Sequence, residues 1–407
     1  MTARYGQRIL HSYMEKEMEG KRFIRTMRLQ NFLSYGSEGE EIELQPLNVL
    51  IGPNASGKSN LIEAIGFLKA TPTDLTAPIR KGGGISEWLW KAGKEPPIAE
   101  IEATIEYPKE VIPLLYRLCF TTVEQRLEIV DEEIENNNIN EQEQDDVYFN
   151  YRYQRGRGFS SLGRMLTKSG ENLIPNRSIL SQIKEPYLHP GLTYLGNQFS
   201  SICLYRDWHI SRNSELRKPQ QTDLPEHPLV EDGSNLGLFL NNLQYQVGSK
   251  QVIEKLKKFY EEAEELSVKI YGGTVQIFIR EEGLSQPIPA TRLSDGTLRY
   301  LFLLALLLDP TPPPLICIEE PEIGLHPDMM STIADLLVEA SGRTQLIVTT
   351  HSEALVSSLP PESVLVCERD YLGTHLRRLD PERLKKWLEN YSLGELWSMG
   401  EIGGTRW

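Results

Sequence analysis

The sequence predicts an α/β nucleotide-binding fold: a mixed sheet that carries a phosphate loop, an antiparallel β meander, and an inserted helical lobe. Three observations predict it. Gly52-Pro53-Asn54-Ala55-Ser56-Gly57-Lys58-Ser59 fits the phosphate-loop pattern of glycine, four free positions and Gly-Lys-Ser without a mismatch. An apolar run at 47–51 precedes it as a buried strand, and residues 60–68 follow with apolar side chains at helical spacing. Far downstream, Leu315-Ile316-Cys317-Ile318 forms a second apolar strand that ends in Glu319 and Glu320.

Each part of the loop has a physical task. Gly52 and Gly57 let the backbone wrap so that its N–H groups face phosphate oxygens, and the positive end of the following helix adds to the attraction. Asn54, Ala55, Ser56, Gly57, Lys58, Ser59 and Asn60 are therefore the expected nucleotide contacts. Lys58 would reach the β- and γ-phosphates, and the Ser59 hydroxyl would sit on Mg²⁺. The strand–loop–helix context separates this stretch from a glycine-rich turn before an ordinary helix. It implies binding of a nucleoside triphosphate, with ATP and Mg²⁺ as the expected ligands.

A chain of 407 residues can bury a large core and hold several structural units. We expect an N-terminal lobe with the phosphate loop and meander at 23–175, a helical lobe at 176–265, a C-terminal lobe at 266–380 and a helical tail at 381–407. The net charge of −14 argues against a generally basic nucleic-acid coat but leaves room for local patches. The longest apolar run, 300–308, is far below the ~20 residues that span a bilayer and reads as a core helix. Residues 1–22 are polar and lack the apolar stretch of a signal peptide. Cys119, Cys203, Cys317 and Cys367 are scattered beside apolar residues without a zinc spacing, which fits buried thiols in a reducing cytoplasm.

Along the chain, residues 23–31 and 41–44 alternate like strands around the turn Phe32-Leu33-Ser34-Tyr35-Gly36. A Pro/Gly-rich connection follows at 71–93. Strand-like stretches at 98–107, 114–123, 126–130 and 147–153 make the meander, and the acidic, amide-rich 132–146 reads as a solvated hairpin tip. From 179 to 264 the pattern is helical, with a polar interruption at 217–228. Strands return at 268–271, 275–280, 315–318, 345–349, 364–368 and 375–379, and a helix is expected at 381–391.

Three further stretches complete the site. Glu319 stands where a metal's coordination shell needs an acid, and Glu320 where a carboxylate could polarise the attacking water. In isolation, a strand ending in two glutamates reads as a solvated terminus; the phosphate loop upstream reverses that reading. Thr349-Thr350-His351-Ser352 ends the next strand, where the His351 imidazole could donate to a γ-phosphate. Ser294, Asp295 and Gly296 open the Leu-rich helix, with Ser294 as its cap and open backbone N–H groups at its positive end. By itself this would be a plain helix cap; beside a phosphate loop it suggests a second phosphate-facing helix end.

Taken in order, phosphate loop, long insertion, Leu-Ser-Asp-Gly helix, Glu-Glu-Pro-Glu strand end and Thr-His-Ser, the chain resembles the ABC-type ATPase heads of the SMC, RecF and OLD group. The resemblance runs from residue 23 to about residue 379 and implies an ABC-type, RecF/SMC-like P-loop NTPase fold. In that group the Leu-Ser-Gly-Gly-type signature contacts the γ-phosphate bound on the opposite protomer, so a homodimer or higher homo-oligomer closing on ATP is implied. The turn at 31–35 is similar to the family's opening near adenine and ribose, and 323–327 to the loop at the dimer seam. Three departures stand out. Glu319 takes the place of the usual Asp; Asp295 replaces the first Gly of the signature pair, and Thr297 its Gln. No glutamine is securely placed for the Q-loop, with Gln182 the weak candidate.

OLD nucleases carry a TOPRIM nuclease domain after the ATPase. The stretch after His351 holds Glu368 but no Asp-x-Asp pair and falls short of the ~100 residues such a domain needs, so no nuclease site is expected in this chain. The ending at 393–407 is similar to stand-alone bacterial ATPases paired with a separately encoded effector, TOPRIM-like proteins included, in antiphage defence. The resemblance thus implies an ATP-dependent switch. A RecF-like DNA-maintenance ATPase is the alternative, drawing on two basic stretches: Tyr151-Arg152-Tyr153-Gln154-Arg155-Gly156-Arg157, and Arg206, Arg212, Arg217 and Lys218.

Overall fold

The computed structural model describes residues 20–108, 113–136, 150–154, 157–160, 173–206 and 210–404. Its centre is a six-stranded sheet in the spatial order Thr374–Arg378, Val364–Arg369, Leu47–Ile51, Gln345–Thr349, Leu315–Glu319 and Cys203–Tyr205. All neighbours are parallel except the edge pair Thr374–Arg378 and Val364–Arg369. These strands read as continuous apolar runs because both faces are covered. Alternate side chains divide between two cores: Leu50, Leu315, Cys317 and Ile347 face one, and Val49, Ile316, Ile318 and Val348 the other.

The first face is covered by the helix Lys58–Ala70 and by a seven-stranded antiparallel sheet, ordered Glu40–Glu43, Ile24–Gln30, Ala99–Ile105, Leu114–Val123, Arg126–Asn136, Asn150–Gln154 and Arg157–Ser160. Phe67 stacks on Phe120 at 4.8 Å, joining helix and meander. Gln345, fully buried, receives the N–H groups of Phe23 and Ile24 and donates to the carbonyls of Ile24 and Gln45, so one side chain satisfies the polar seam between the sheets. The second face is covered by the helices Asp295–Leu308 and Met330–Ser341, with every residue from Thr297 to Leu308 buried. A small sheet of Gln220–Gln221, Thr274–Glu281, Ala263–Tyr271 and Ile288–Pro289 lies beside the helices Leu236–Leu243 and Ser249–Lys257. No helix among the described residues is long and apolar enough to cross a membrane.

The Pro/Gly-rich connection at 71–93 contains the helix Thr76–Lys81, started by Asp74, which accepts from the Thr76 N–H at 3.0 Å. Three expectations need correction. Residues 176–265 are not wholly helical, since Cys203–Tyr205 forms the edge of the central sheet. The strand expected to stop near 130 runs on as Arg126–Asn136. Glu132, read as solvated, is fully buried and accepts from Tyr116 Oη at 2.7 Å, Ser178 Oγ at 2.5 Å and the Ile179 N–H at 2.7 Å. The rest of the acidic stretch, 137–146, lies outside the described residues. A second tail helix, Leu393–Ser398, follows Pro381–Leu388.

Candidate active site

The phosphate loop leaves the strand Leu47–Ile51 and enters Lys58–Ala70 through three left-handed residues, with φ of 148° at Gly52, 62° at Ala55 and 108° at Gly57. A Cβ on Gly57 would lie 2.7 Å from Ser34 Oγ, so only glycine fits there. Neighbours hold the loop from behind. Cys367 Sγ donates to the Ser56 carbonyl at 3.2 Å, and Thr374 Oγ1 lies 2.8 Å from the same oxygen. Lys58 Nζ donates to the carbonyls of Gly52 and Pro53, both at 2.8 Å, which folds the ammonium over the loop. Burial pushes its pKa down, while the charges of Cys367 and Glu320 oppose that shift. Asn54, Ala55 and Ser59 are exposed at the loop's mouth. Asn60 Nδ2 donates to Ser34 Oγ at 2.6 Å.

The acids and the imidazole meet because their strands are adjacent and in register, with Glu319 opposite Thr349. Glu320 turns out of its strand in the left-handed region, at φ 48°, a conformation that costs a side chain on the order of 1 kcal/mol. Its N–H donates to the Thr349 carbonyl at 2.9 Å, and its Oε1 lies 3.7 Å from His351 Nε2. Glu322, not singled out from the sequence as a site residue, accepts from the His351 N–H at 2.7 Å and thereby fixes the turn that presents the imidazole. Burial pushes the Glu322 pKa up.

Glu319 is joined to the phosphate-loop helix through Arg206. The Arg206 Nη1 donates to Glu63 at 2.7 Å, and its Nε lies 3.9 Å from Glu319 Oε1. Arg206 follows the edge strand Cys203–Tyr205, whose three residues lie between helical stretches and show no periodicity of their own. The sequence placed this arginine in a basic cluster; the fold places it inside the site.

The donor set fits a triphosphate and its metal. A Cβ on Gly52 or Gly57 would strike Cys367, Thr374 or Ser34 behind the loop, so the close-backed wrap requires glycine at both positions, and Ser56 Oγ is enclosed in it without a hydrogen-bond partner among the described residues. Ser59 and Glu319 offer a hydroxyl and a carboxylate, oxygen ligands of the kind Mg²⁺ takes alongside phosphates and water.

A family model described as "AAA domain, putative AbiEii toxin, Type IV TA system" matches residues 47–357, which contain the phosphate loop, Arg206, Glu319, Glu320, Glu322 and His351. The chain belongs to this AAA-domain family. Nucleotide binding is therefore the property expected of its phosphate loop. The fold is that of an ABC-type P-loop ATPase, as found in SMC heads. A crystal structure of the SmcHead bound to the C-winged helix domain of ScpA aligns with a TM-score of 0.58 at 16% identity, covering 89% of this chain and 99% of that one. The SMC head domain from Thermotoga maritima aligns at 15% identity over 88% of this chain and 100% of that one, with a TM-score of 0.45. The likeness is one of fold, and the first of the two carries it.

In this AAA domain the Leu-Ser-Asp-Gly turn is a built cap. Ser294 Oγ accepts from the Thr297 N–H at 3.0 Å, and the Asp295 carboxylate pairs with Arg217. A Cβ on Gly296 would lie 3.2 Å from the Gly324 carbonyl, and Arg299 donates to the Ile323 carbonyl, so the helix start abuts the run that follows Glu320. Gln182 is spent elsewhere. It exchanges hydrogen bonds with the backbone of Ile174 and donates to the Arg177 carbonyl, which leaves the Q-loop assignment without support.

The basic stretches are also largely committed within the chain. Arg152 pairs with Asp131 at 2.6 Å, and Tyr151 and Tyr153 are buried. Arg206 and Arg217 are tied as described, Lys218 pairs with Glu215 at 2.7 Å, and Arg212 is exposed. Arg155 and Gly156 lie outside the described residues. All four cysteines are buried and free, as expected.

Proposed function

We propose that this chain is an ATP-hydrolysing switch that pairs with a second copy around Mg-ATP and so controls a separately encoded effector protein, a TOPRIM-like nuclease among the candidates, in antiphage defence. One observation carries the ATPase part: Glu320 and His351 stand 3.7 Å apart at the ends of adjacent strands, on the same side of the phosphate-loop strand.

The loop's N–H groups and Lys58 would bind the phosphates and hold the γ-phosphoryl group in place. Mg²⁺, held by Ser59 and Glu319, would neutralise charge on the β- and γ-oxygens. Glu320 would orient a water in line with the γ-phosphorus and take its proton, and His351 would donate to a γ-oxygen on which charge develops. Arg206 would keep Glu319 in register with the phosphate-loop helix.

Pairing is supported by the face that Ser294 and Gly296 form with Ile323, an apolar side chain 48% exposed beside the signature turn. Control of another protein is supported by the family's description, which names a toxin of a type IV toxin–antitoxin system, and by the SMC head that was crystallised with a separate protein, ScpA. Direct action on DNA draws less support, because the arginines that suggested it are mostly paired internally.

The test is the mass in solution and the hydrolysis rate of Glu320→Gln, with and without Mg-ATP, alone and with the product of a neighbouring gene. Retained ATP binding, lost turnover and an ATP-dependent dimer that recruits the neighbour are expected. An unchanged hydrolysis rate would sink the catalytic assignment, and a monomer at saturating ATP would sink the pairing. Recruitment of DNA in place of the neighbour would move the reading to DNA maintenance.

A further inference from the structure

We propose that His375 is a proton-sensing clamp behind the phosphate loop, one that holds the loop ready for nucleotide when the imidazole is charged. The proposal rests on the phosphate-loop reading above. His375 lies on the edge strand Thr374–Arg378, and its neighbour Thr374 backs the loop directly. Thr374 Oγ1 lies 2.8 Å from the Ser56 carbonyl and leaves no room for a Cβ on Gly57. The Thr374 N–H donates to the Ser34 carbonyl at 2.9 Å. Whatever fixes this end of the strand therefore fixes the wall behind Ser56 and Gly57.

Both ring nitrogens of His375 face carboxylates. Nδ1 lies 3.2 Å from Glu40 Oε2, and Nε2 lies 3.2 Å from Asp370 Oδ1. Glu40 belongs to the strand Glu40–Glu43 of the antiparallel sheet, and its other oxygen accepts the Leu376 N–H at 2.7 Å. Asp370 belongs to the turn between Val364–Arg369 and Thr374–Arg378, where Oδ1 also accepts the N–H groups of Leu372 at 2.8 Å and Gly373 at 3.2 Å. The ring thus bridges the two sheets and the turn that leads into Thr374.

This geometry selects the charged ring. A neutral imidazole has one N–H, so its other nitrogen would set a lone pair against a carboxylate oxygen; only the imidazolium donates on both sides. Desolvation lowers the His375 pKa, but the hydrogen bonds and charges of Glu40 and Asp370 outweigh it and leave the pKa above the ordinary 6.5. The other charged groups on this face have partners of their own. Glu368, opposite His375 on the neighbouring strand, accepts the Gly404 N–H at 2.9 Å. Arg377, two residues along, donates to the Ile402 carbonyl at 2.8 Å.

A loop already held in its wrapped form loses less freedom when a nucleotide binds, so the clamp favours binding. Its contribution is complete below pH 6.5 and is lost as pH rises through the raised pKa of the clamped ring. Nucleotide affinity therefore falls with rising pH. His375 is half-exposed, so solvent protons reach it, and screening by water keeps the effect to a few-fold.

The experiment is an equilibrium titration of the full chain with Mg-ATP from about pH 6 to about pH 8.5, for the wild type, His375→Gln and Glu40→Gln. The nucleotide's own ionisation is common to all three and cancels in the ratio of their Kd values. The Kd of the wild type relative to His375→Gln is expected to rise about threefold across this range. Glu40→Gln, which keeps an acceptor for the Leu376 N–H, should show a smaller rise than the wild type. NMR of the histidine rings, with the His375 signal identified by its loss in His375→Gln, should give a pKa above 6.5 that drops in Glu40→Gln. A ratio constant with pH overturns the proposal and leaves the phosphate loop standing, as does a His375 pKa at or below 6.5. If His375→Gln does not fold, the comparison of Glu40→Gln with the wild type decides in the same way. A wild type that binds no Mg-ATP at any pH overturns the phosphate-loop reading, and the proposal with it.

Discussion

Arg217 and Asp295 meet at the start of the signature helix, one from the segment that follows the edge strand and the other from the helix's first turn. The two ends of the pair differ in kind. Asp295 is largely exposed, whereas Arg217 is buried and also donates to the carbonyls of Leu293 at 2.6 Å, Ser211 at 3.1 Å and Ala290 at 3.4 Å. The pair as such is worth little, because water screens the carboxylate. The carbonyls are another matter: that of Leu293 loses this donor if the arginine is removed, while those of Ser211 and Ala290 keep the N–H groups of Ser214 and Leu293.

Arg217→Ala is therefore expected to destabilise the protein by about 2 kcal/mol and Asp295→Ala by less than about 1 kcal/mol. Urea unfolding of both variants measures the contrast. Arg217→Ala should also lose ATP turnover while its Kd for ATP stays near that of the wild type, because the phosphate loop is held by other residues. Equal stability losses in the two variants would mean that the ion pair, and not the carbonyl contacts, fixes the turn.

Glu132 makes a prediction in pH. Burial raises its pKa from the ordinary 4.5 to about 7, with the bonds from Ser178, Ile179 and Tyr116 opposing the shift. A group whose pKa is raised on folding favours the folded state in its protonated form. Its contribution is complete below pH 4.5, falls as pH rises toward 7 and is flat above that. The linked change is roughly 3 kcal/mol over this window. Glu132→Gln, which cannot ionise, should lack this dependence, so the stability of the wild type relative to the variant should fall between pH 5 and pH 7. Urea midpoints at half-unit pH steps test this. Parallel curves would show that Glu132 does not titrate in the window.

The same glutamate marks the limit of what the sequence makes legible. The phosphate loop, the Glu319–Glu320 strand end and His351 are contiguous stretches whose chemistry lies in their own residues, and the strands that carry them were readable as apolar runs. Glu132 sits in a run of acids and amides, and composition there points to water; its partners Tyr116 and Ser178 lie 16 and 46 residues away. Arg206 and His375 gain their places from the order of the strands, which no local pattern states. Cys203–Tyr205 is too short to show a period. One signal was present and unused: Ser392 and Glu395 form a capping box, with the Ser392 N–H donating to Glu395 at 2.7 Å, and that spacing announces the helix Leu393–Ser398.

That helix leads to the last prediction. Trp397 is buried and its Nε1 donates to the Gly404 carbonyl at 2.7 Å, while the Gly404 N–H donates to Glu368 at 2.9 Å. Gly404 has a φ of 60°, and a Cβ there would lie 3.3 Å from the Cα of Gly52, the first glycine of the phosphate loop. Next to Trp397, the helix rests on Glu353–Ser357, the helix just beyond His351, where Ser398 Oγ donates to Glu353 at 2.6 Å. The tail thus ties the imidazole's surroundings to the loop's entry. Trp397→Ala removes a large buried ring and should cost about 3–5 kcal/mol. It should also raise the Kd for ATP, because Gly52 loses its backing. Trp397→Phe keeps most of the packing, loses one hydrogen bond and should cost about 1 kcal/mol. A Trp397→Ala protein that is destabilised yet binds ATP with unchanged affinity would reduce the tail to a staple of the fold, whereas a Gly404→Val protein that weakens ATP binding more than it lowers stability would locate the effect at the contact with Gly52.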